Sequence, residues 1–331
     1  MRPLTYVRAE TAEDAVAAVA GDPRARFLGG GTNLVDHLKL GITTPEVLVD
    51  VSRLPLDRVE ETAEGLRVGA AVRNSDLAAH PVVRTEFPAL SRALLAGASG
   101  QIRNQATTAG NLLQRTRCVY FQDLSTPCNK REPGSGCSAV GGYGRYHAVL
   151  GASEACVATH PSDMAVAMAV LDAEVVVLGP DGERRVPFDE LHRLPGHHPE
   201  RDTTLVHGEL VTAVELRRSP AARASSYEKT RDRASYAFAL VSVAAALELD
   251  GDRVADVRIA WGGVAHKPWR ARAAEDLLRD GPLDERRVRD AVADELRAAD
   301  TGPDSAYKVA MLGGLTARAL TRLAGSTEVA R

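Results

Sequence analysis

The feature that most constrains this chain is a long segment without regular periodicity that contains all four of its cysteines. From Gln114 to Gly151 no helical or strand spacing of apolar residues persists, and the stretch PCNKREPGSGC adds prolines and glycines that interrupt both. A long irregular loop in a compact protein is usually functional or disordered, and bound metal can replace the core that such a loop lacks.

The spacing of the cysteines leaves their chemistry open. Cys118, Cys128, Cys137 and Cys156 follow the pattern C-x9-C-x8-C-x18-C, which has neither the short pairs of a zinc finger nor the compact run of a ferredoxin. Iron–sulfur binding, zinc binding and scattered thiols or disulfides all remain open on spacing alone.

Charge and hydropathy exclude several classes of partner. Lys and Arg number 41 against 44 for Asp and Glu, the net charge is -3, and no block of positive charge suggests nucleic acid. The N-terminus reaches charged residues early, and no apolar run is long enough to span a membrane. We therefore expect a cytoplasmic protein without nucleic-acid or membrane partners, exported only if a partner subunit carries the signal. In a reducing cytoplasm, cysteines are better suited to metal or redox work than to disulfides.

The first part of the chain, residues 1–216, is predicted to be a mixed α+β domain. Thr11 as N-cap and Gly21 as stop bracket a helix, ARFLGGGT indicates a strand that runs into glycines, and a second helix ends at Gly41 before the strand EVLVDVSRL. Further strands are predicted at GLRVGAAV and at EVVVLGPDGERRV, which turns at 180–182. Helices are predicted at FPALSRALLAGAS and PSDMAVAMAVLDA.

The second part follows a different pattern. Residues 217–226 are polar and rich in Pro, Ala and Ser, which is typical of a linker. In residues 227–331, two long apolar runs joined at Asp250-Gly251-Asp252 predict a hairpin, and three helical stretches follow. The sequence therefore predicts a C-terminal α+β domain in which a small sheet is covered by helices.

A glycine-rich loop between a predicted strand and helix is a candidate phosphate site. In the stretch FLGGGTN, Gly29, Gly30 and Gly31 remove side chains and allow positive φ, so backbone N–H groups can approach a phosphate, and Thr32 and Asn33 add donors. A plain tight turn explains the same residues about equally well. The spacing matches neither the Rossmann fingerprint nor a P-loop.

Three motifs together resemble a known family. GGGTNL, then QIRNQATTAGNL, then Pro161-Ser162-Asp163-Met164 leading into LDA, occur in the order and spacing of the FAD subunit of the xanthine oxidase and carbon monoxide dehydrogenase family of molybdenum hydroxylases. The resemblance covers nearly the whole chain. It implies a two-part FAD-binding domain of the vanillyl-alcohol-oxidase-like type.

The resemblance also implies the FAD contacts. Two loops would wrap the cofactor, Asp163 would bond a cofactor hydroxyl, and Lys229 would lie near the flavin side of the domain interface. From local pattern alone, Asp163 is a helix-start acid and Lys229 part of a charged strand edge. Ala109 stands where many members have glycine. The residues implied to bind FAD are Leu28, Gly29, Gly30, Gly31, Thr32, Asn33, Leu34, Thr107, Thr108, Gly110, Asn111, Asp163 and Lys229.

The cysteine segment resembles an insert found in a minority of the family. RCVYFQDLSTPCNKREPGSGC is similar to the FAD subunits of bacterial aldehyde oxidoreductases and of hydroxybenzoyl-CoA reductases, and the continuation through Cys156 is closer to the aldehyde oxidoreductase type. The resemblance implies that Cys118, Cys128, Cys137 and Cys156 hold a 4Fe-4S cluster, in an insert of about residues 114–156 beside the flavin. His37, His147 and His160 lack paired ligand spacing and are interpreted as surface or capping residues.

The resemblance implies a division of labour between subunits. A large molybdenum-cofactor subunit would oxidise the substrate, a small subunit with two-iron clusters would relay electrons, and this chain would pass them through FAD to an external acceptor, in a heterotrimer or its dimer. We expect no substrate-activating residue here. The alternatives are a stand-alone FAD-dependent oxidase or dehydrogenase and a non-catalytic zinc-containing assembly protein.

Overall fold

The computed structural model describes residues 2–329, which begin with a small parallel sheet of strand order β1-β3-β2. The Thr11 hydroxyl accepts a hydrogen bond from the Asp14 N–H (3.0 Å), and Gly41 ends the second helix at φ 74°. The predicted helices and strands of this unit are confirmed. Its elements are β1 (Thr5–Arg8), α1 (Ala12–Ala20), β2 (Ala25–Leu28), α2 (Leu34–Leu40) and β3 (Val47–Asp50).

A five-stranded antiparallel sheet with several short helices forms the second unit, and its strand order is β4-β5-β8-β6-β7. The predicted hairpin is confirmed, because β6 turns into β7 with Gly179 opposite Gly182. The helix α9 is buried along its whole length. The elements are β4 (Val59–Glu61), β5 (Gly65–Gly69), α3 (Asn74–Ala79), α4 (Pro81–Glu86), α5 (Pro88–Ala96), α6 (Gly100–Arg103), α7 (Thr108–Leu112), α8 (Val119–Gln122), α9 (Asp163–Val170), β6 (Glu174–Gly179), β7 (Gly182–Pro187), α10 (Phe188–Leu191) and β8 (Leu210–Arg217).

The third unit is a four-stranded antiparallel sheet, order β12-β11-β10-β9, covered by three helices as predicted. The hairpin turns at Gly251, φ 62°, with Asp250 opposite Arg253. No helix within residues 2–329 has the length and apolar character needed to cross a membrane. The elements are α11 (Pro220–Arg223), β9 (Ser225–Thr230), β10 (Val241–Asp250), β11 (Arg253–Gly262), β12 (Trp269–Arg270), α12 (Arg272–Leu278), α13 (Glu285–Glu295), a 3-10 turn (Leu296–Ala298) and α14 (Tyr307–Val329).

The segment predicted as a linker, residues 217–226, is ordered and partly buried. It contains α11, in which Ala221 and Ala222 are fully buried, and its ends belong to β8 and β9. One hydrophobic core also crosses the boundary, because Tyr227 and Ala244 of the third unit pack with helices α5 and α9. The two parts of the chain therefore pack together without a free linker.

The cysteine segment is irregular, as predicted: between α8 and α9 the described chain forms no further helix or strand. Its second half is fastened to the third unit through backbone hydrogen bonds. The N–H groups of Val149 and Leu150 both donate to the carbonyl oxygen of Val264 (2.9 and 3.0 Å), and the Asp300 N–H donates to that of Val149 (2.9 Å). These bonds attach the loop to the third unit and add to the hydrogen bonds that the loop forms within itself.

Arg270, which forms a buried ion pair with Glu275 in the third unit, also connects this unit to the second. The Arg270 guanidinium donates to the fully buried Glu275 carboxylate, to Asp172 (2.5 Å) and to the carbonyl oxygen of Ala169 at the end of α9 (2.7 Å). Glu275 also accepts the Ile259 N–H (2.7 Å). Removing one partner of such a pair leaves a buried charge without compensation.

We therefore expect Arg270→Met to lower the free energy of unfolding by about 3–5 kcal/mol, measured by urea denaturation. The matched control is Arg286→Met, because that side chain is 92% exposed and lies 3.6 Å from Asp290 on the helix surface. The control should change stability by less than about 1 kcal/mol. Equal effects of the two substitutions would contradict the structural role of Arg270.

Candidate functional site

The first glycine loop offers a row of unused backbone donors. Within residues 2–329, none of the five N–H groups from Gly29 to Asn33 donates a hydrogen bond, although the Gly31 carbonyl accepts the Val35 N–H (3.0 Å). Gly31 adopts φ 75°, a conformation that favours glycine. Successive free N–H groups on one short loop are the arrangement that binds phosphate oxygens.

The two predicted loops touch each other, and glycine allows this contact. A Cβ on Gly30 would collide with the carbonyl oxygen of Gln105, and one on Gly29 would lie 3.2 Å from the Thr107 hydroxyl. The Gln105 amide in turn donates to the carbonyl oxygen of Gly30 (3.3 Å). The sequence therefore requires glycine here for close approach between loops, in addition to the turn itself.

The second loop uses its polar groups to keep its own shape. The Thr107 hydroxyl accepts from the N–H of Gly110 (3.3 Å), while Thr108 is fully buried and donates from both N–H and hydroxyl to the carbonyl oxygen of Val72 (2.9 and 3.1 Å). The N–H of Ala109 bonds the Ala70 carbonyl oxygen (3.0 Å). This loop is thus a rigid wall beside the first one, and the free donors belong to the first.

Two asparagines tie these loops to the rest of the site. The Asn33 side-chain oxygen accepts the Arg115 N–H (3.0 Å), and that of Asn111 accepts the Ser162 hydroxyl (2.5 Å). Ser162 also caps α9 by accepting the Ala165 N–H (3.0 Å). Leu28, Thr32 and Leu34, which border the first loop, are half-buried.

Asp163 and Lys229, predicted separately, form one buried ion pair. The Lys229 ammonium donates to the Asp163 carboxylate (2.7 Å), and the two side chains are 4% and 8% exposed. The Tyr227 hydroxyl donates to the other carboxylate oxygen (2.5 Å), and burial raises the pKa of this tyrosine well above its usual value. Asp163 is also the first residue of α9, so the local prediction of a helix-start acid is correct. Any cofactor hydroxyl must share this carboxylate with two protein donors.

Tyr227 is a residue that the sequence analysis missed. Tyr227 and Lys229 are two positions apart on β9, and alternate residues of a strand point to the same face. The period of two was therefore the signal that both side chains would reach one partner. Only the folded chain identifies that partner as Asp163, 64 residues before Tyr227.

A second missed group lies between the glycine loop and the cysteines. Asp202 accepts from the Arg115 guanidinium (2.6 Å) and from the buried Lys130 ammonium (2.5 Å). Burial alone would raise the pKa of Asp202, but the charges of Arg115 and Lys130 lower it to about 2. Because Arg115 also bonds Asn33 and Lys130 is two residues beyond Cys128, this group couples the two regions.

The four cysteines are neighbours in the folded chain. Cys128 lies opposite Cys137 in an isolated antiparallel bridge, and the interaction of Cys137 with the neighbouring Cys156 side chain lowers the pKa of Cys137 to about 6. Cys118 interacts electrostatically with Cys128 and Cys137, while burial raises its pKa. None of the four forms a disulfide. Cys128 and Cys156 are buried, whereas Cys118 and Cys137 are half-exposed.

The histidines near this loop were interpreted as surface or capping residues; the surface alternative is wrong, whereas the His160 ring does contact the carbonyl oxygen of Leu112 at the end of α7. His37 and His147 are buried, and the His147 Nε2 atom lies 3.5 Å from the Cys118 sulfur. His160 is half-buried and contacts the carbonyl oxygen of Leu112 (3.3 Å). Across the part of the chain that the structure describes, no three His, Cys, Asp or Glu side chains form a group that could hold a single metal ion.

Comparison with known proteins agrees with this architecture. Residues 2–218 match the FAD binding domain in molybdopterin dehydrogenase, and residues 225–323 match the CO dehydrogenase flavoprotein C-terminal domain. The chain is 56% identical over 283 residues to the aldehyde oxidoreductase FAD-binding subunit PaoB of Escherichia coli, with 85% of this chain and 87% of that protein covered. It is 27% identical over 288 residues to the glyceraldehyde dehydrogenase medium chain of Sulfolobus acidocaldarius, with 87% and 85% covered.

A solved structure has the same fold. A chain of the carbon monoxide dehydrogenase from Hydrogenophaga pseudoflava superposes with a TM-score of 0.76 at 24% identity, covering 97% of this chain and 96% of that one. The predicted α+β fold class is confirmed. Because the two matched domains together span nearly the whole chain, this protein belongs to the FAD-binding subunits of the xanthine oxidase and carbon monoxide dehydrogenase family of molybdenum hydroxylases.

Proposed function

We propose that this chain is the FAD-binding, electron-transferring subunit of a molybdenum-dependent aldehyde oxidoreductase complex. The row of free N–H groups from Gly29 to Asn33 is the main structural support, because a pyrophosphate needs several such donors on a short loop. The relatives named for aldehyde oxidation support an aldehyde as the substrate of the whole complex. Partners would be a large molybdenum-cofactor subunit, a small two-iron-cluster subunit and an external electron acceptor.

The described residues fit FAD in a specific way. The first loop would hold the pyrophosphate, Leu28 and Leu34 would cover it, and Thr107 to Asn111 would form the opposite wall. Thr108 would contribute by its backbone, since its hydroxyl bonds Val72. Asp163 would accept a cofactor hydroxyl while Lys229 and Tyr227 hold it in place. Bound FAD supplies the ability to take up electrons and release them singly or in pairs.

We also propose that Cys118, Cys128, Cys137 and Cys156 hold a 4Fe-4S cluster. Four thiols without disulfides meet in a loop that has few regular elements of its own, and thiolates are the usual ligands of such clusters. A single zinc ion fits less well, because no three potential ligands within residues 2–329 are grouped for one ion. The Asp202 group gives the loop a direct link to the glycine loop.

The FAD site is tested by Gly30→Ala, which should reduce the FAD bound per purified chain at least tenfold. The added methyl group would push the two loops apart at Gln105. Gly100→Ala is the matched control, because a Cβ there meets no atom within 4 Å and FAD should stay bound. FAD content is measured by absorbance after acid release, with folding checked by circular dichroism.

Full FAD content in a folded Gly30→Ala chain would contradict the proposed pyrophosphate site. A different result would contradict the proposed role as a subunit of a complex. Aldehyde oxidation by the isolated wild-type chain would instead favour a stand-alone flavoprotein oxidase, since a subunit that only transfers electrons turns over no aldehyde.

The cofactor role of Asp163 is tested by comparing Asp163→Asn with Lys229→Met. The first removes a charge-assisted hydrogen bond worth about 1.5–3 kcal/mol, so the FAD dissociation constant should rise at least about tenfold. Lys229→Met disturbs the same ion pair but keeps the carboxylate. If both variants weaken FAD binding equally in a fluorescence titration, Asp163 only anchors Lys229 and does not contact the cofactor.

The cluster is tested by metal analysis of anaerobically purified chain. Wild type should contain about four irons and no zinc, and Cys128→Ser should lose most of the iron because a neutral hydroxyl replaces a thiolate poorly. The FAD content should largely survive, since the glycine loops lie outside the insert. Ser125→Ala, which removes an exposed hydroxyl from the same loop, serves as the control. One zinc per chain, or four freely titrating thiols in native wild type, would refute the cluster.

A further inference from the structure

Two buried lysines lie near the cysteines: Lys130 in the cysteine loop and Lys308 on α14. Arg115 and Lys130 share the single carboxylate of Asp202. Arg131 donates to the carbonyl oxygens of Tyr120, Phe121 and Thr126. Arg131 interacts electrostatically with Asp123, whereas Lys308 forms no ion pair within the described residues. Buried charge is costly unless it is paired.

Lys308 is the most isolated of these cations. It belongs to α14 in the third unit and is fully buried. Its ammonium donates to the carbonyl oxygens of His147 (2.7 Å) and Gly263 (2.6 Å). Burial lowers its pKa to about 7. A hydrophobic side chain could occupy this position without the free-energy cost of burying a charge. The buried lysine therefore indicates that its charge has a function.

The backbone of His147 and Ala148 connects Lys308 indirectly to two of the cysteines. His147, whose carbonyl oxygen it binds, places its Nε2 atom 3.5 Å from the Cys118 sulfur. The N–H of the next residue, Ala148, donates to the carbonyl oxygen of Val157 (2.8 Å), and Val157 directly follows Cys156 in the chain. The Lys308 ammonium thus lies next to the backbone of residues 147–148, which borders the cysteines.

We propose that Lys308 is a positioning residue whose charge balances an anionic iron–sulfur cluster on the four cysteines and raises its reduction potential. This inference rests on the proposed cluster. A four-iron cluster with its four thiolates has a net negative charge, and one-electron reduction adds a further unit without making or breaking a bond to Lys308. Net charge and hydrogen bonding around a cluster tune its potential. The charge of the third unit would thereby act on a redox centre in the first part of the chain.

The test is a redox titration of the purified full chain with dithionite, followed by electron paramagnetic resonance. Lys308→Met removes both charge and hydrogen bonds, whereas Lys308→Gln keeps amide donors without the charge. In both we expect the equilibrium constant for one-electron reduction to fall about tenfold, which is about 59 mV toward lower potential. Lys308→Arg, which keeps the charge, should stay close to wild type. Lys39→Met, at an exposed lysine, is the control for loss of a positive charge elsewhere.

The outcomes separate this inference from the cluster proposal. Wild type without iron would refute the cluster itself. Wild type with iron, together with an unchanged potential in Lys308→Met or Lys308→Gln, would refute only the role of Lys308 and leave it a structural clamp. If the two uncharged variants lose iron while Lys308→Arg keeps it, the requirement for charge is supported. Loss of iron in all three variants would show a requirement for lysine geometry and overturn the electrostatic role.

Discussion

The buried carboxylate of Asp163 is the interaction on which the arrangement of this molecule depends. It begins α9, the helix that lies inside the largest core, and it accepts hydrogen bonds from Tyr227 and Lys229 on the first strand of the third unit. A charge at this depth is stable only with its partners in place. The contact that joins the two parts of the chain therefore also holds the carboxylate that we propose to bind FAD.

Around this carboxylate, glycine residues allow loops to approach each other closely, whereas cationic side chains form hydrogen bonds and ion pairs. Gly30 lets two loops touch, which leaves the N–H groups of the first loop free for a phosphate while the second loop uses its own groups for rigidity. On the other side of the proposed site, Asp202 accepts from Arg115 and Lys130 of the cysteine loop, and Lys308 donates to the carbonyl oxygen of His147 in that loop. The cysteine loop thus combines hydrogen bonds of its own with contacts to other parts of the chain.

Much of the fold follows from local pattern. Thr11 and Gly41 mark helix ends through their hydroxyl and positive φ, and the turn at Gly251 connects the predicted hairpin. The supposed linker was less predictable, because small residues such as Ala221 suit a flexible segment and a tightly packed helix equally well. The burial of His147 was not predicted for a similar reason. It depends on elements that are distant from His147 in the sequence and that produce no periodic pattern around it.

The sequence by itself determined the local elements, the irregular cysteine segment and, through its motifs, the family and the residues that we propose to form the flavin site. These properties depend on short-range sterics, hydrogen bonding and motif order. Only the tertiary structure decided that Asp163 pairs with Lys229, that Asp202 joins Arg115 to Lys130, and which donors of the glycine loops stay free. A buried charge pairs with the oppositely charged group that lies close to it in the folded chain and is shielded from water. Neither this distance nor this burial can be read from the spacing of residues along the sequence.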